Sequence, residues 1–394
     1  MKVLQVNNVY GEKSTGVLTK ILHEGLQAAG VESLVVYGRG KGEKAPGVVR
    51  LCPDWYGKAN SLCSRITGLP YGGCLLSTWR LQRILLREKP DVVHLQCING
   101  HFVNIYRLVD WLKKRGIKTV FSLHGAFLYT GNCGQPYDCD KWQQGCGHCA
   151  QLQEATRSWA LDRTAESWKR MKRAFAGFER DGMLCPVSDW VAQQVKKSGI
   201  VGEMPIKTVY NAVDAAFCWK NGGEKENAVL HVTAHFSPER GHPKGGWYVL
   251  ALAKRWPEVR FYVAGAAEKV TKLPKNVTLL GEVTDRETLA DWYRRAKVTL
   301  VTSRAETFSM PCAESLCCGT PVVGFRAGGP EEISLTEYSA FVPFGDMDAL
   351  EGTLRRYLTT DTDGAAMAAR AKEAYSPEKM VGQFLAVYRE ALWK

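Results

Sequence analysis

The sequence predicts an α/β protein made of two doubly wound, Rossmann-like domains that face each other across a cleft. Three observations carry this. Short apolar runs alternate with helix-period stretches through the first half of the chain. The same alternation resumes in the second half. Between them, residues 201–227 lose the pattern and carry Pro205 and the turn of Asn221, Gly222 and Gly223, which places a hinge there. Strands alternating with helices build parallel sheets covered on both faces, and such sheets bind ligands beyond the carboxyl ends of their strands.

In the first half, runs at 3–6, 34–37, 92–95, 119–123 and 183–187 read as strands. Helical periodicity lies near 17–29, 79–88, 103–115 and 189–198. Ser188 stands directly before the last of these, where its hydroxyl can accept from a first-turn amide. In the second half, strands are expected at 229–233, 261–264, 277–280, 298–302 and 322–325. Helices are expected near 247–255, 286–295, 348–358, 364–374 and 378–393. The domains that follow are 1–200 and 201–376, with residues 377–394 as a terminal helix.

A chain of 394 residues suffices for two or three cores, and 45% hydrophobic with 23% charged content is ordinary globular material. No apolar run approaches the roughly 18 residues of a membrane span. The opening MKVLQVNNVY reads as a first strand rather than a secretion signal, so a cytoplasmic protein with its 13 cysteines reduced is expected. The net charge of +12 is unevenly placed. Residues 1–200 hold 28 basic and 16 acidic side chains, whereas the remainder holds 24 of each. The first half therefore suits an acidic partner: nucleic acid, anionic lipid or a phosphorylated acceptor.

The most informative stretch is 304–333, RAETFSMPCAESLCCGTPVVGFRAGGPEEI. A buried strand at 298–302 leads into a loop, and 311–318 reads as a short helix with Pro311 in its first turn and Gly319 closing it. Glu306 then lies in the strand-to-helix loop and Glu314 in the helix. The amides of Thr307, Phe308, Ser309 and Met310 lie between them, where an anion is welcome. One carboxylate can hold the hydroxyls of one ring and the other those of a second, with phosphates between.

That arrangement resembles the donor site of family-four glycosyltransferases, which have the GT-B fold. The resemblance implies that Glu306 faces the transferred sugar and Glu314 binds the ribose of the nucleotide. It extends over nearly the whole chain. Gly16 stands where the family has a Gly-Gly turn against the donor phosphates, and His124 where the family has a histidine near the reacting carbon. Asn211, Ala212, Val213 and Asp214 match a signature that shapes the hinge; Ser188 and Trp190 match a Ser-x-Trp before it. Lys244 and Gly245 match the family's phosphate-binding Lys-Gly. The arginine expected upstream is absent; His235 or Phe236 holds its place, leaving Arg240 from the loop, or Lys244 with helix N-termini, to serve the donor. By the resemblance, residues 377–394 pack back on the N-terminal domain.

The implied reaction is transfer of a sugar from a nucleotide diphosphate-sugar with retention of configuration and without a divalent metal at the reaction centre. His124, Lys244 and Glu306 are the catalytic candidates. Asp-x-Asp pairs at 138/140, 346/348 and 361/363 lie in a cysteine cluster or in late turns, not where such a metal would act.

Cys133, Cys139, Cys146 and Cys149 fall in an insertion spanning 131–150. The Cys-Gly-His-Cys end and the surrounding glycines suit a closed, structural zinc site, with His148 able to replace one thiolate; an iron–sulfur cluster or unligated thiols are the alternatives. Without a metal such a loop is expected to be floppy. A similar insertion marks family members of colanic-acid and other surface-polysaccharide pathways, whose acceptors are glycans, usually lipid-linked diphosphate sugars. Residues 162–180 read as a basic helix, with Trp159, Trp168, Met171, Phe175 and Phe178 interspersed on and just before it. Such a helix either lies on an anionic membrane, peripheral to its inner face, or packs with a solvated charged side.

Two other functions compete. A GT-B nucleotide-sugar epimerase would need no anionic acceptor surface. A zinc-knuckle nucleic-acid-binding protein would leave the second half unexplained and would bind with a steep salt dependence; no nucleic acid is expected.

Overall fold

Each apolar run of the sequence becomes a strand, and the interior strands Lys2–Asn7, Val92–Leu95, Thr119–Leu123, Ala296–Val301 and Val322–Phe325 are buried along almost their whole length. The computed structural model describes residues 1–221, 224–268 and 272–393; Gly222 and Gly223 of the expected hinge turn lie outside the described residues. Contacts gather the chain into two units, the first of Met1–Tyr210 together with the residues from Met380 on, the second Asn211–Lys379.

The first unit opens with β1 (Lys2–Asn7), α1 (Lys13–Ala28), β2 (Glu32–Tyr37), β3 (Val48–Arg50), α2 (Asp54–Thr67) and α3 (Leu75–Glu88). It continues with β4 (Val92–Leu95), α4 (Ile105–Lys114), β5 (Thr119–Leu123), α5 (Leu152–Ala155), α6 (Thr164–Phe175), β6 (Gly182–Pro186) and α7 (Asp189–Lys196). Its six strands are parallel, in the order β3-β2-β1-β4-β5-β6. Val3, Leu4, Val6, Val93, Leu95 and Val120 are fully buried. Each such side chain contributes roughly 1.5–3 kcal/mol on leaving water. Ser188 caps α7 by accepting from the Val191 amide at 3.2 Å.

Polar side chains are buried where β1 meets β4. Gln96 Nε2 donates to Gln5 Oε1 at 2.7 Å, Thr19 Oγ1 to Gln96 Oε1 at 3.0 Å, and Asn7 Nδ2 to Thr19 Oγ1 at 2.7 Å. Being mutually paired, these groups fix the register instead of destabilising the core.

The second unit runs β7 (Glu226–Phe236), α8 (Gly246–Arg255), β8 (Arg260–Ala267), β9 (Val277–Gly281), α9 (Arg286–Arg295) and β10 (Ala296–Val301). Then come α10 (Met310–Cys317), β11 (Val322–Phe325), α11 (Gly329–Ile333), β12 (Ser339–Val342), α12 (Met347–Thr359) and α13 (Gly364–Tyr375). The order β12-β11-β10-β7-β8-β9 is the same winding as in the first unit, read from the other edge. Its core packs Val229, Val298, Leu300 and Val323 of the sheet against Val249, Leu252, Leu350 and Leu354 of the helices.

The last helix, α14 (Pro377–Trp393), returns to the first unit. Tyr388 hydroxyl bonds His94 Nδ1 at 2.7 Å, and the ring of Phe384 lies 4.8 Å from that imidazole.

One expectation changes, and another gains detail. The basic helix spans only Thr164–Phe175, and Trp168, Met171, Phe175 and Phe178 are buried. It is a packed helix with a charged outer side; its aromatic residues are not available to a membrane. Asp346 and Asp363 prove to be N-caps, accepting from the amides of Ala349 and Ala366.

Candidate active site

In a doubly wound sheet the ligand crevice opens where the winding reverses, between two neighbouring strands whose connections leave in opposite directions. In the second unit those strands are β7 and β10. The loop after β7 carries Lys244, and the loop after β10 carries Glu306. Two hydrogen bonds lace the loops together: Arg304 N–H donates to Pro243 O at 2.8 Å, and the Thr302 side-chain Oγ1 donates to Lys244 O at 3.0 Å. Gly245 has a φ of +67°, and a Cβ there would lie 2.2 Å from Thr302 O, so only glycine fits. Lys244 Nζ consequently reaches Glu306 Oε1 at 2.6 Å.

Glu306 is anchored by its own backbone. Its N–H donates to Ala327 O at 2.9 Å, and its carbonyl accepts from Gly329 N–H at 2.9 Å. A Cβ on Gly329 would stand 2.5 Å from the Thr307 carbonyl group and 2.7 Å from Phe308 N. Phe308 is buried, with its ring against Tyr375. Ser309 takes a φ of +75° and opens α10, whose first amides begin with Met310, four residues along the chain from Glu306. Pro311 lies in the first turn and Gly319, at φ +71°, follows the helix end.

Glu314 accepts from the Tyr293 hydroxyl at 3.0 Å. The residue is partly exposed, yet enclosure of its carboxyl pushes the pKa up to about 7 against the pull of Tyr293 and Arg286. Asp214 forms an ion pair with Arg286 and also acts on Glu314. The hinge signature therefore delivers a carboxylate to the surroundings of the second glutamate. Asn211, buried, is the first residue of the second unit. Arg286 and Tyr293 were not legible as site residues: they come from α9, a helix whose sequence carries no motif.

Arg240 does not join Lys244; its guanidinium lies 4.9 Å from the ring centre of Trp247. His235 bonds Glu268 at 3.0 Å, and Phe236 is buried. Neither replaces the guanidinium of the absent arginine.

In the first unit the winding reverses between β1 and β4. A cleft of about 430 Å³ opens there, lined by Asn8, Arg39, Asn99, His101, Asn132 and Arg157 among others. His101 Nδ1 and Asn132 Oδ1 are buried without a hydrogen-bond partner among the described residues. Gly16 lies in the first turn of α1, where a Cβ would meet Val9 at 3.0 Å. His124 follows β5, and burial pushes its pKa down to about 4; it acts electrostatically on His94, itself held by Ser122 and Tyr388. Both imidazoles are neutral at physiological pH.

The cysteine insertion is packed. Trp142 Nε1 donates to Cys139 O at 2.7 Å, Trp168 Nε1 to Trp142 O at 2.8 Å, and Cys149 N–H to Asp162 at 2.6 Å. Burial and the neighbouring thiols push Cys133 up to about 11 and Cys146 up to about 12. The four sulfurs thus share one neighbourhood. Even so, among the described residues no group of three or more His, Cys, Asp or Glu side chains is set to hold a metal ion. Zinc is an expectation of the spacing and not of this placement.

No helix among the described residues is long and apolar enough to cross a membrane. Comparison with known proteins gives a consistent answer. Residues 15–217 match the model of Glycosyltransferase Family 4, and residues 247–360 match that of Glycosyl transferases group 1. WcaC of Escherichia coli K12, whose name places it in colanic acid biosynthesis as a glycosyl transferase, is 20% identical over 99% of this chain and 100% of its own length. Among solved structures, sucrose-phosphate synthase from Thermosynechococcus elongatus superposes with a TM-score of 0.71 at 16% identity, covering 99% of both chains. HepE of Anabaena in complex with UDP does so with a TM-score of 0.65 at 15% identity, covering 99% of this chain and 100% of that one. With one family model spanning more than half of its residues and GT-B proteins as its structural neighbours, the chain belongs to glycosyltransferase family 4.

Proposed function

We propose that the protein transfers a hexosyl group from a nucleoside diphosphate sugar to a glycan acceptor, with retention at the anomeric carbon, in the assembly of a surface polysaccharide. The observation that carries this reading is the Lys244–Glu306 pair at the β7/β10 reversal, beside the N-terminus of α10 and with Glu314 further along the same helix. An ammonium and a helix N-terminus suit a diphosphate, and two carboxylates suit the hydroxyls of the sugar and the ribose. The solved HepE complex with UDP and the name of WcaC support the nucleotide and the pathway.

In the reaction the bond from the anomeric carbon to the diphosphate oxygen breaks, and the acceptor oxygen bonds to that carbon. The acceptor proton passes to the departing diphosphate. Lys244 and the amides at Ser309 and Met310 stabilise the charge that builds there. Lys244 stands at this end of the site, paired with Glu306, and a reaction centre without a divalent metal is carried over from the family resemblance. Glu306, relieved of Lys244 by the diphosphate, is free to accept from the sugar hydroxyls. His124 and Gly16 are assigned to the sugar and phosphates on family resemblance; Arg240, stacked on Trp247, is left outside the donor set. The first unit's cleft, with Arg39 and Arg157, takes the acceptor, most simply one that carries a lipid-linked diphosphate.

Thermal unfolding across nucleoside diphosphates and their sugars tests the reading, because a ligand that binds only the folded protein raises its melting temperature. One diphosphate and its sugars should raise it, and Lys244→Ala should abolish the rise. No rise with uridine or guanosine diphosphate, or their sugars, would remove the donor site.

A further inference from the structure

We infer that the protein binds an anionic lipid surface through the outer faces of α2, α3 and the segment 159–161, and not through its basic helix. The inference stands apart from the sugar-donor reading. Among the described residues, 15 large hydrophobic side chains are exposed, and nine of them fall in these three segments. On α2, Trp55, Leu62 and Ile66 recur at helical spacing, so they form one outward stripe. On α3, Leu75, Leu76, Trp79 and Leu86 do the same, with Leu76 at 73% exposure. Trp159 and Leu161 complete the set.

The three segments are tied side by side. Asn60 Oδ1 of α2 accepts from the Cys74 amide that starts α3, at 2.9 Å. Trp159 N–H donates to Arg65 O at 2.9 Å, and the Leu161 carbonyl presses on Gly68, just past the end of α2. A solvent-facing apolar patch of this kind marks a contact surface.

Charge chooses the occupant. Lys58 and Arg65 stand on α2, and Arg80 and Arg83 on α3, with the exposed Arg87 beside them in an ion pair with Glu88. The acids of the same helices are already paired, Asp54 with Arg50 and Glu88 with Lys2 and Arg87. Arg83 lies 4.9 Å over the ring of Trp79, so cation and aromatic are presented together. Exposed tryptophans and leucines ringed by arginines match the boundary between acyl chains and anionic headgroups. A second copy of the chain would instead bring these arginines against one another, since a two-fold contact faces a patch with itself. Ser61 of α2 and Arg157, two residues before Trp159, both line the first unit's cleft. A cleft that opens beside a membrane-seated face can take an acceptor whose tail stays in the bilayer.

The test is sedimentation of the full chain with vesicles of phosphatidylcholine alone and of phosphatidylcholine with phosphatidylglycerol in equal parts. Binding should require phosphatidylglycerol. The triple variant Trp55→Ser, Leu76→Ser, Trp79→Ser and the charge variant Arg83→Glu, Arg87→Glu should each weaken it by about tenfold or more. Both change only exposed side chains, so melting temperature and its rise with nucleoside diphosphate should stay as in the parent. Undiminished vesicle binding by the triple variant, or binding that ignores phosphatidylglycerol, would overturn the inference. So would a parent that is dimeric by sedimentation velocity and a triple variant that is monomeric, which would assign the face to a second copy.

Discussion

Lys244 and Glu306 lie 62 positions apart in the chain, and their side chains meet at 2.6 Å. Each is the partner the other would have to exchange for a ligand: the ammonium for a phosphate, the carboxylate for sugar hydroxyls. The pair is partly solvated, at 35% and 23% exposure, so it contributes about 1 kcal/mol or less to folding. Its value lies in placing two opposite charges at one crevice. Lys244→Ala and Glu306→Ala should therefore each lower turnover about a hundredfold or more while the melting temperature hardly moves. Near-parental rates in either variant would take that residue out of the reaction.

Glu314 supplies a pH test. Its folded-state pKa is raised to about 7, above the usual carboxyl range, because enclosure disfavours the anion. A raised pKa contributes stability that is present below the unfolded value and is lost as pH rises through the folded one. The melting temperature of the protein without nucleotide should fall between about pH 5 and about pH 8, and Glu314→Gln should flatten that slope. Ribose hydroxyls donating to the carboxylate favour its ionised form, so nucleotide binding should strengthen over the same range and release a proton. Calorimetry in buffers of different ionisation enthalpy reads that proton directly.

Gly329 is where the Gly-rich loop touches the backbone that carries Glu306. Gly329→Ala puts a methyl group 2.5 Å from a main-chain carbonyl that cannot swing aside. A cost of roughly 1–3 kcal/mol is expected, with loss of activity, since Glu306 moves with its backbone. Gly382→Ala is the control: nothing lies within 4 Å of its added methyl, and alanine favours the helix. Equal melting temperatures for the two variants would refute the close approach.

Metal analysis decides the cysteine loop. The spacing calls for zinc, so protein produced in zinc-containing medium should carry one ion per chain, lost in Cys146→Ser. A parent as empty as the variant would leave the loop to the Trp142 and Trp168 hydrogen bonds that already hold it.

The interior strands were legible because parallel strands covered on both faces are continuous apolar runs. β3 and β12 were not: β3 has three residues, none of them buried, and β12 has four with only Ser339 buried, so neither forms a continuous apolar run. α2 escaped notice because its apolar stripe faces outward and no core imposes a regular pattern on its inner side, where Gly57 and Ser64 sit. Glu306 and Lys244 could be found because strand-to-helix loops announce themselves by Pro and Gly. Tyr293 and Arg286 could not, because what gives them their role is a meeting with Glu314 and Asp214 in space. Residues 162–180 misled for the opposite reason: a basic stretch with aromatics has the same periodicity whether those aromatics face lipid or protein.

The return of α14 to the first unit has a bearing on how the protein is made. His94, on a central strand of that sheet, is completed by Tyr388 and Phe384. A ribosome delivers those two residues only after the whole of the second unit has emerged. The first unit must then wait, unfinished and with part of its interior uncovered, until α14 follows, which makes that interval the stage at which a chaperone would be needed most.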